Sequence, residues 1–312
     1  MTRPPALFDA DLLARRRARA ARLGPADFLQ ATVAAEVAER LSDVNRRFRA
    51  PAIVGPRAAL WAETLGLPHA RLVPDAEVLG LEEQAHDLVV HALALHWAND
   101  PVGQLVQSRR ALHPDGLLLA ALFGGETLVE LRSALAAAEV ETLGGLSPRI
   151  APMGEIRDLG GLLQRAGLAL PVADSRRYEV SYPSALALMR DLRAMGETNV
   201  QLDRLRRPIP RALVARAAAA YADRFPADGG RVRASFEVIF LTGWAPAPEQ
   251  PKPLRPGSAR ARLAHARSPR HGRDQRDARP PAPSLAPRHA RARLRGLRRP
   301  FRHRRRTGRR DL

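Results

Sequence analysis

The chain has 312 residues, enough for one large domain or two modest ones, with a formal net charge of +19 and no cysteine. Without cysteine there are no disulfides and no thiolate metal sites, so the fold needs no oxidising compartment. No apolar run approaches the roughly 18 residues of a membrane span. The basic opening MTRPPALFDADLLARRRARAARLG lacks the apolar core of a secretory signal, and a cytoplasmic protein is expected.

The charge is unevenly spread. Residues 251–312 hold 21 of the 51 Lys and Arg and 3 of the 32 acids, which leaves 30 basic and 29 acidic residues in 1–250. The body is near neutral, so recognition of nucleic acid by a basic folded surface is not expected. The tail, with runs such as RRPFRHRRRTGRR, has too few apolar residues to offset chain entropy and is expected to be disordered. It reads as a nucleic-acid-binding arm, an inert solvated tail or a GC-rich gene read out of frame.

In chain order, 9–22 and 25–48 read as helices, the second with Phe28, Leu29, Val33, Val37 and Leu41 at helical spacing. PAIVG (51–55) is a short buried strand, PRAALWAETLG a helix between Pro56 and Gly66, and ARLVP (70–74) a second short strand. HDLVVHALAL (86–95) is a central strand, and Pro101 opens a helix that Asn99 or Asp100 caps. HPDG (113–116) reads as a turn before the buried strand LLLAALFGG. Helices follow over 127–141 and 155–166, a strand within 168–182, helices over 183–196 and 210–225, and a long strand over 231–244. Alternating strands and helices predict a mainly parallel α/β sheet with helices on both faces. Ligands then bind beyond the carboxyl ends of its strands.

LHWAND (95–100) and FGGET (123–127) follow two such strands. Trp97 offers a face for a flat ring or a cation, and His96 a proton carrier. Packing and helix capping explain the same residues structurally. The glycines of FGGET let backbone approach a ligand, or serve only the turn. MGETN (195–199) adds a polar cluster at a helix end, which a cap and loop also explain. None of His69, His86, His91, His96 and His113 has a partner at metal-ligand spacing, so no metal is expected.

HDLVVHALALHWANDPVGQLVQSRRALHPDGLLLAALFGGETLVELRSAL, GGLSPRIAPMGEIRDLGGLLQRAGL, the YP at 182–183, LMRDLRAMGETN and FEVIFLTGWAP together resemble the class I S-adenosylmethionine-dependent methyltransferases. The likeness is narrower to the subgroup that includes the malonyl-carrier methyltransferase of biotin synthesis and a mitochondrial complex I assembly factor that acts as an arginine hydroxylase. It is specific as a set over about 86–246 and stops near Ala264, in keeping with a frame shift there. It implies a Rossmann-like sheet over 49–246, a helical extension over 1–48 and the basic tail over 247–312. It also implies S-adenosylmethionine held near Gly55, Asp75, Ala92, His96 and Trp97, with Asp75 at the adenine. The acceptor side falls to Gly124, Gly125, Thr127, Arg132, Tyr182 and Asn199.

The cofactor half departs from the family. Ile53 stands where an acid is expected, and only Gly55 remains of the glycine-rich loop. One strand–helix unit is missing between Gly55 and Asp87, since helix and strand lengths need about twice that span. Methyl transfer to a small-molecule or protein acceptor is the expected function, with no dedicated base required. The alternative is a non-catalytic or hydroxylase-type factor of respiratory complex I assembly, with a protein client.

Overall fold

The computed structural model describes residues 6–250. The basic tail from residue 251 on, including the change of frame expected after Ala264, lies outside the described residues. The strands are Pro51–Val54 (β1), Arg71–Val73 (β2), His86–Ala92 (β3), Leu112–Phe123 (β4), Ala169–Tyr182 (β5), Pro226–Ala227 (β6) and Arg231–Trp244 (β7). The helices are Ala10–Leu23 (α1), Phe28–Ser42 (α2), Ala58–Thr64 (α3), Pro101–Ala111 (α4), Val129–Leu143 (α5), Ile156–Arg165 (α6), Ala185–Met195 (α7) and Arg211–Arg224 (α8).

One sheet runs β2-β1-β3-β4-β7-β5, with β6 added beside β7. Strands β2, β1, β3 and β4 pair in parallel, and β7 lies antiparallel between β4 and β5. Strands β3 and β4 are parallel neighbours, with Leu88 opposite Leu117 and Ala92 opposite Ala121. Successive side chains point to opposite faces, so both faces are apolar where helices cover both. Leu88, Val90, Leu117 and Leu119 pack with α2 and α3 on one face, while Val89, Leu118 and Ala120 pack with α4 and α6 on the other.

The cofactor half is short, as expected. No helix links β2 to β3 among the described residues, and α4 takes up the backbone polar groups that a helix would satisfy. Gln104 donates to the Ala76 carbonyl at 3.0 Å, and Gln107 donates to the Glu77 carbonyl and accepts from Leu79 N–H, both at 2.9 Å. Polar backbone without a ladder needs such partners.

Two local expectations change. HPDG does not stand as a turn before the strand: β4 begins at Leu112 and passes through a register shift, with Asp115 at φ 61°. The turn-forming residues make a bulge instead. It is pinned by Ala245, whose N–H donates to Gly116 and whose carbonyl accepts from Asp115. Strand β3 also ends at Ala92, and Leu95–Trp97 is a single 3₁₀ turn. No helix among the described residues is long and apolar enough to cross a membrane.

Candidate functional site

Beyond the carboxyl ends of β3 and β4 lies a cavity of about 1010 Å³. Trp97 of the 3₁₀ turn, Phe123 at the end of β4, Thr127 and Leu131 of the next segment, and Phe236 of β7 form its floor. Leu12 and Arg16 of α1 and Met189 and Arg193 of α7 line its sides, and Asn199 its margin. A second recess of about 450 Å³ is lined by Gly125, Arg132 and Glu155, and shares Ile150, Ala151 and Met153 with the first.

The chemistry at the cavity wall centres on Glu197 of the MGETN stretch, which follows the Gly196 cap of α7. Trp97 donates its indole N–H to Glu197 Oε2 at 2.6 Å, and His96 Nε2 lies 3.2 Å from the same oxygen. Burial, the largest single effect, pushes the Glu197 carboxyl up. The attraction and hydrogen bond of His96, the charge of Arg17 and the Trp97 bond outweigh it and hold the carboxyl below its ordinary range. Glu197 is therefore ionised at neutral pH, and His96, with its side chain 1% exposed, stands behind it. The His96 ring packs against Phe123 with centroids 4.6 Å apart.

The rest of LHWAND does two separate jobs. Asp100 caps α4 by accepting from Gly103 N–H at 2.7 Å. Asn99 instead clamps the N-terminal segment: its Oδ1 accepts from Leu7 and Phe8 N–H at 2.8 and 2.9 Å, and its Nδ2 donates to the Phe8 carbonyl at 3.1 Å. Phe8 then sits edge-on to Trp97, with centroids 5.1 Å apart. Helix α1 is thereby held beside the cavity.

The remaining expected residues divide by place. Thr127 is buried and locks the FGGET turn to β7, donating to the Glu237 carbonyl at 2.9 Å and accepting from Glu237 N–H at 3.1 Å. A Cβ on Gly124 would displace the ends of two side chains, Glu237 Oε2 at 2.6 Å and Ile239 Cδ1 at 2.7 Å. Arg132 reaches back to the Gly125 carbonyl at 3.3 Å. Asn199 donates to the Pro148 carbonyl at 2.7 Å. Tyr182 lies in the core at the end of β5, its phenol raised by burial and by Asp191. Trp97, Thr127 and Asn199 thus line the cavity and Gly125 and Arg132 the recess, whereas Gly55, Asp75, Ala92, His96, Gly124 and Tyr182 line neither.

The cofactor implied by the resemblance belongs at the ends of β1, β2 and β3, and the residues there do not fit it. Ile53 is fully buried core. Gly55 has φ 153°, and a Cβ on it would lie 2.6 Å from the Ala92 carbonyl oxygen, so its close approach serves the protein's own backbone. Asp75 is engaged by Arg17 of α1 at 2.6 Å, with its side chain 12% exposed. His91, in the middle of this edge, is buried and bonded to Gln104 at 2.8 Å, and burial depresses its proton affinity despite that bond.

Glu197, Arg17 and the clamp by Asn99 were not legible as parts of a site. Glu197 lies 100 residues from Trp97, and no spacing rule links them. The one signal was a carboxylate in the polar stretch MGETN. Among the described residues no group of three or more His, Cys, Asp or Glu could hold a metal ion.

Residues 55–120 match the family described as a methyltransferase domain. The protein named arginine-hydroxylase NDUFAF5, mitochondrial, of Danio rerio is 36% identical over 262 residues, covering 76% of this chain and 81% of the relative. The Homo sapiens protein of the same name is 34% identical, with 81% of each chain covered. The malonyl-[acyl-carrier protein] O-methyltransferase of Laribacter hongkongensis is 38% identical over 178 residues, covering 57% of each. With that identity carried across four-fifths of the first relative, the chain belongs to the class I S-adenosylmethionine-dependent methyltransferase superfamily, in the group that holds these arginine-hydroxylase relatives.

Proposed function

We propose that this methyltransferase-like protein binds an acceptor in the cavity beside α1 and presents the Glu197 carboxylate to it. One observation carries the reading: a cavity-lining carboxylate is kept ionised and fixed in direction by Trp97 and His96. Such a group can hold an acceptor N–H or O–H and take up its proton. Thr127 and Asn199 shape the wall around it. Methyl transfer to a small-molecule or protein acceptor, with S-adenosylmethionine as donor, is the activity the family implies, and a cytoplasmic setting goes with it. The two arginine-hydroxylase relatives named above are mitochondrial.

A second reading is a respiratory complex I assembly factor, non-catalytic or hydroxylase-type, acting on a protein client. It is favoured by the closed cofactor edge, where Arg17 occupies Asp75 and Gly55 abuts Ala92. Calorimetric titration with S-adenosylmethionine and S-adenosylhomocysteine separates the two. Saturable binding with a rise in melting temperature supports methyl transfer. The absence of both at millimolar cofactor leaves acceptor binding with the second reading's function.

A further inference from the structure

The cavity wall carries a charge that its chemistry does not use. Seven of the lining residues are arginines and one, Glu197, is a carboxylate. Two of the arginines are paired, Arg149 with Glu139 at 2.6 Å and Arg204 with Asp9 at 3.4 Å. Arg16, Arg190, Arg193, Arg206 and Arg207 make no ion pair among the described residues. After burial, the charges of Arg204 and Arg193 depress the proton affinity of Arg16, and Asp9, the partner of Arg204, offsets them only in part. Like charges so arranged repel one another, and an anion placed among them relieves that repulsion.

The interior is different. Phe123, Leu131, Met189 and Phe236 give it an apolar lining, and Leu186, Leu205 and Ile209 are exposed apolar side chains at its margin. Its volume is at the upper end for a small-molecule site, roughly 300–1000 Å³. We propose that the cavity binds an amphipathic anion, with an aliphatic body in the apolar interior and a carboxylate or phosphate head at the unpaired Arg16 and Arg193. This rests on the reading of the cavity as the acceptor site and names the acceptor's chemical class. Guanidinium forks match both head groups, with two parallel N–H donors to two oxygens. A cationic arginine side chain, the class named in the hydroxylase relatives, would instead meet five guanidinium groups that no ion pair among the described residues neutralises.

The test is calorimetric titration of the full chain with decanoate, decyl phosphate and decyltrimethylammonium, each below its micelle concentration. One saturable site for an anion and none for the cation is expected, and whichever anion binds tighter identifies the head group. Because the basic tail also attracts anions, two variants locate the site. Arg193→Gln, at an exposed position, weakens the saturable site about tenfold. Leu186→Trp, at a half-exposed margin position, blocks it. Equal binding of anion and cation, with both blocked by Leu186→Trp, overturns the charge inference and leaves the acceptor cavity standing. Saturable binding that ignores Leu186→Trp, or no saturable binding by a folded chain of any of the three or of an acidic peptide titrated alongside them, overturns both. Binding of an acidic peptide but of neither decyl anion overturns the amphiphile class alone.

Discussion

Trp97 and Glu197, 100 residues apart in the chain, meet through a 2.6 Å bond from the indole N–H to the carboxylate. The bond joins the turn after β3 to the loop after α7, and both ends face the cavity. Removing the carboxylate leaves two buried ring donors without their acceptor. Glu197→Ala should cost about 1–3 kcal/mol of stability in urea denaturation, and Glu197→Gln, which keeps an acceptor, distinctly less. Equal losses in the two variants would show that the hydrogen bonds are not what Glu197 contributes.

The same residue sets a pH dependence. Its carboxyl lies below the ordinary value of 4.5 in the folded chain, so its contribution is fully present above that value. It is lost as pH falls through the folded value, because the unfolded chain takes up the proton first. The difference in stability between the parent and Glu197→Gln should therefore be constant from pH 5 to 7 and shrink below about pH 4.5. A difference independent of pH down to 3 would mean that Glu197 is not ionised in the fold.

His91 makes the opposite kind of statement about protons. Burial holds its proton affinity below the ordinary 6.5, so the folded chain keeps the ring neutral while the unfolded chain protonates. Stability from this group is complete above 6.5 and falls as pH drops below it. Carbon-detected titration by NMR should find one imidazole that does not change between pH 7 and 6. All histidines titrating near 6.5 would contradict the burial.

Asn99 and Asp100 are adjacent and should fail differently. Asp100→Ala removes the cap of α4 and should cost about 1 kcal/mol of global stability. Asn99→Ala releases the Leu7 and Phe8 amides and should speed their hydrogen exchange while leaving α4 protected. Faster exchange throughout α4 in Asn99→Ala would reassign Asn99 to the cap.

Gly55 and Gly66 separate strain from contact. Both lie at positive φ, but a Cβ at Gly66 meets nothing within 4 Å, whereas one at Gly55 meets the Ala92 oxygen at 2.6 Å. Gly66→Ala should cost about 1–2 kcal/mol, and Gly55→Ala clearly more, read as the fall in melting temperature. Equal costs would mean that the β1 and β3 ends are open enough to admit a ligand.

Most helices and strands and the α/β class were legible in the sequence, whereas the strand order and the antiparallel place of β7 between β4 and β5 were not. Two-residue alternation and near-continuous apolar strands are local signals, and β7 falls on the same residues, 231–244, in sequence and structure. Ile53, the lone Gly55 and the short span to Asp87 likewise showed that the cofactor half is reduced. How that half is closed and where the site lies follow from packing. Arg17 reaches Asp75 from another helix, Glu197 reaches His96 and Trp97 across 100 residues, and seven arginines from scattered segments converge on one cavity. The physical reason is range. Periodicity and capping act within a few residues of chain, whereas ion pairs, buried hydrogen bonds and cavities form between surfaces that meet only when the sheet and its helices are packed.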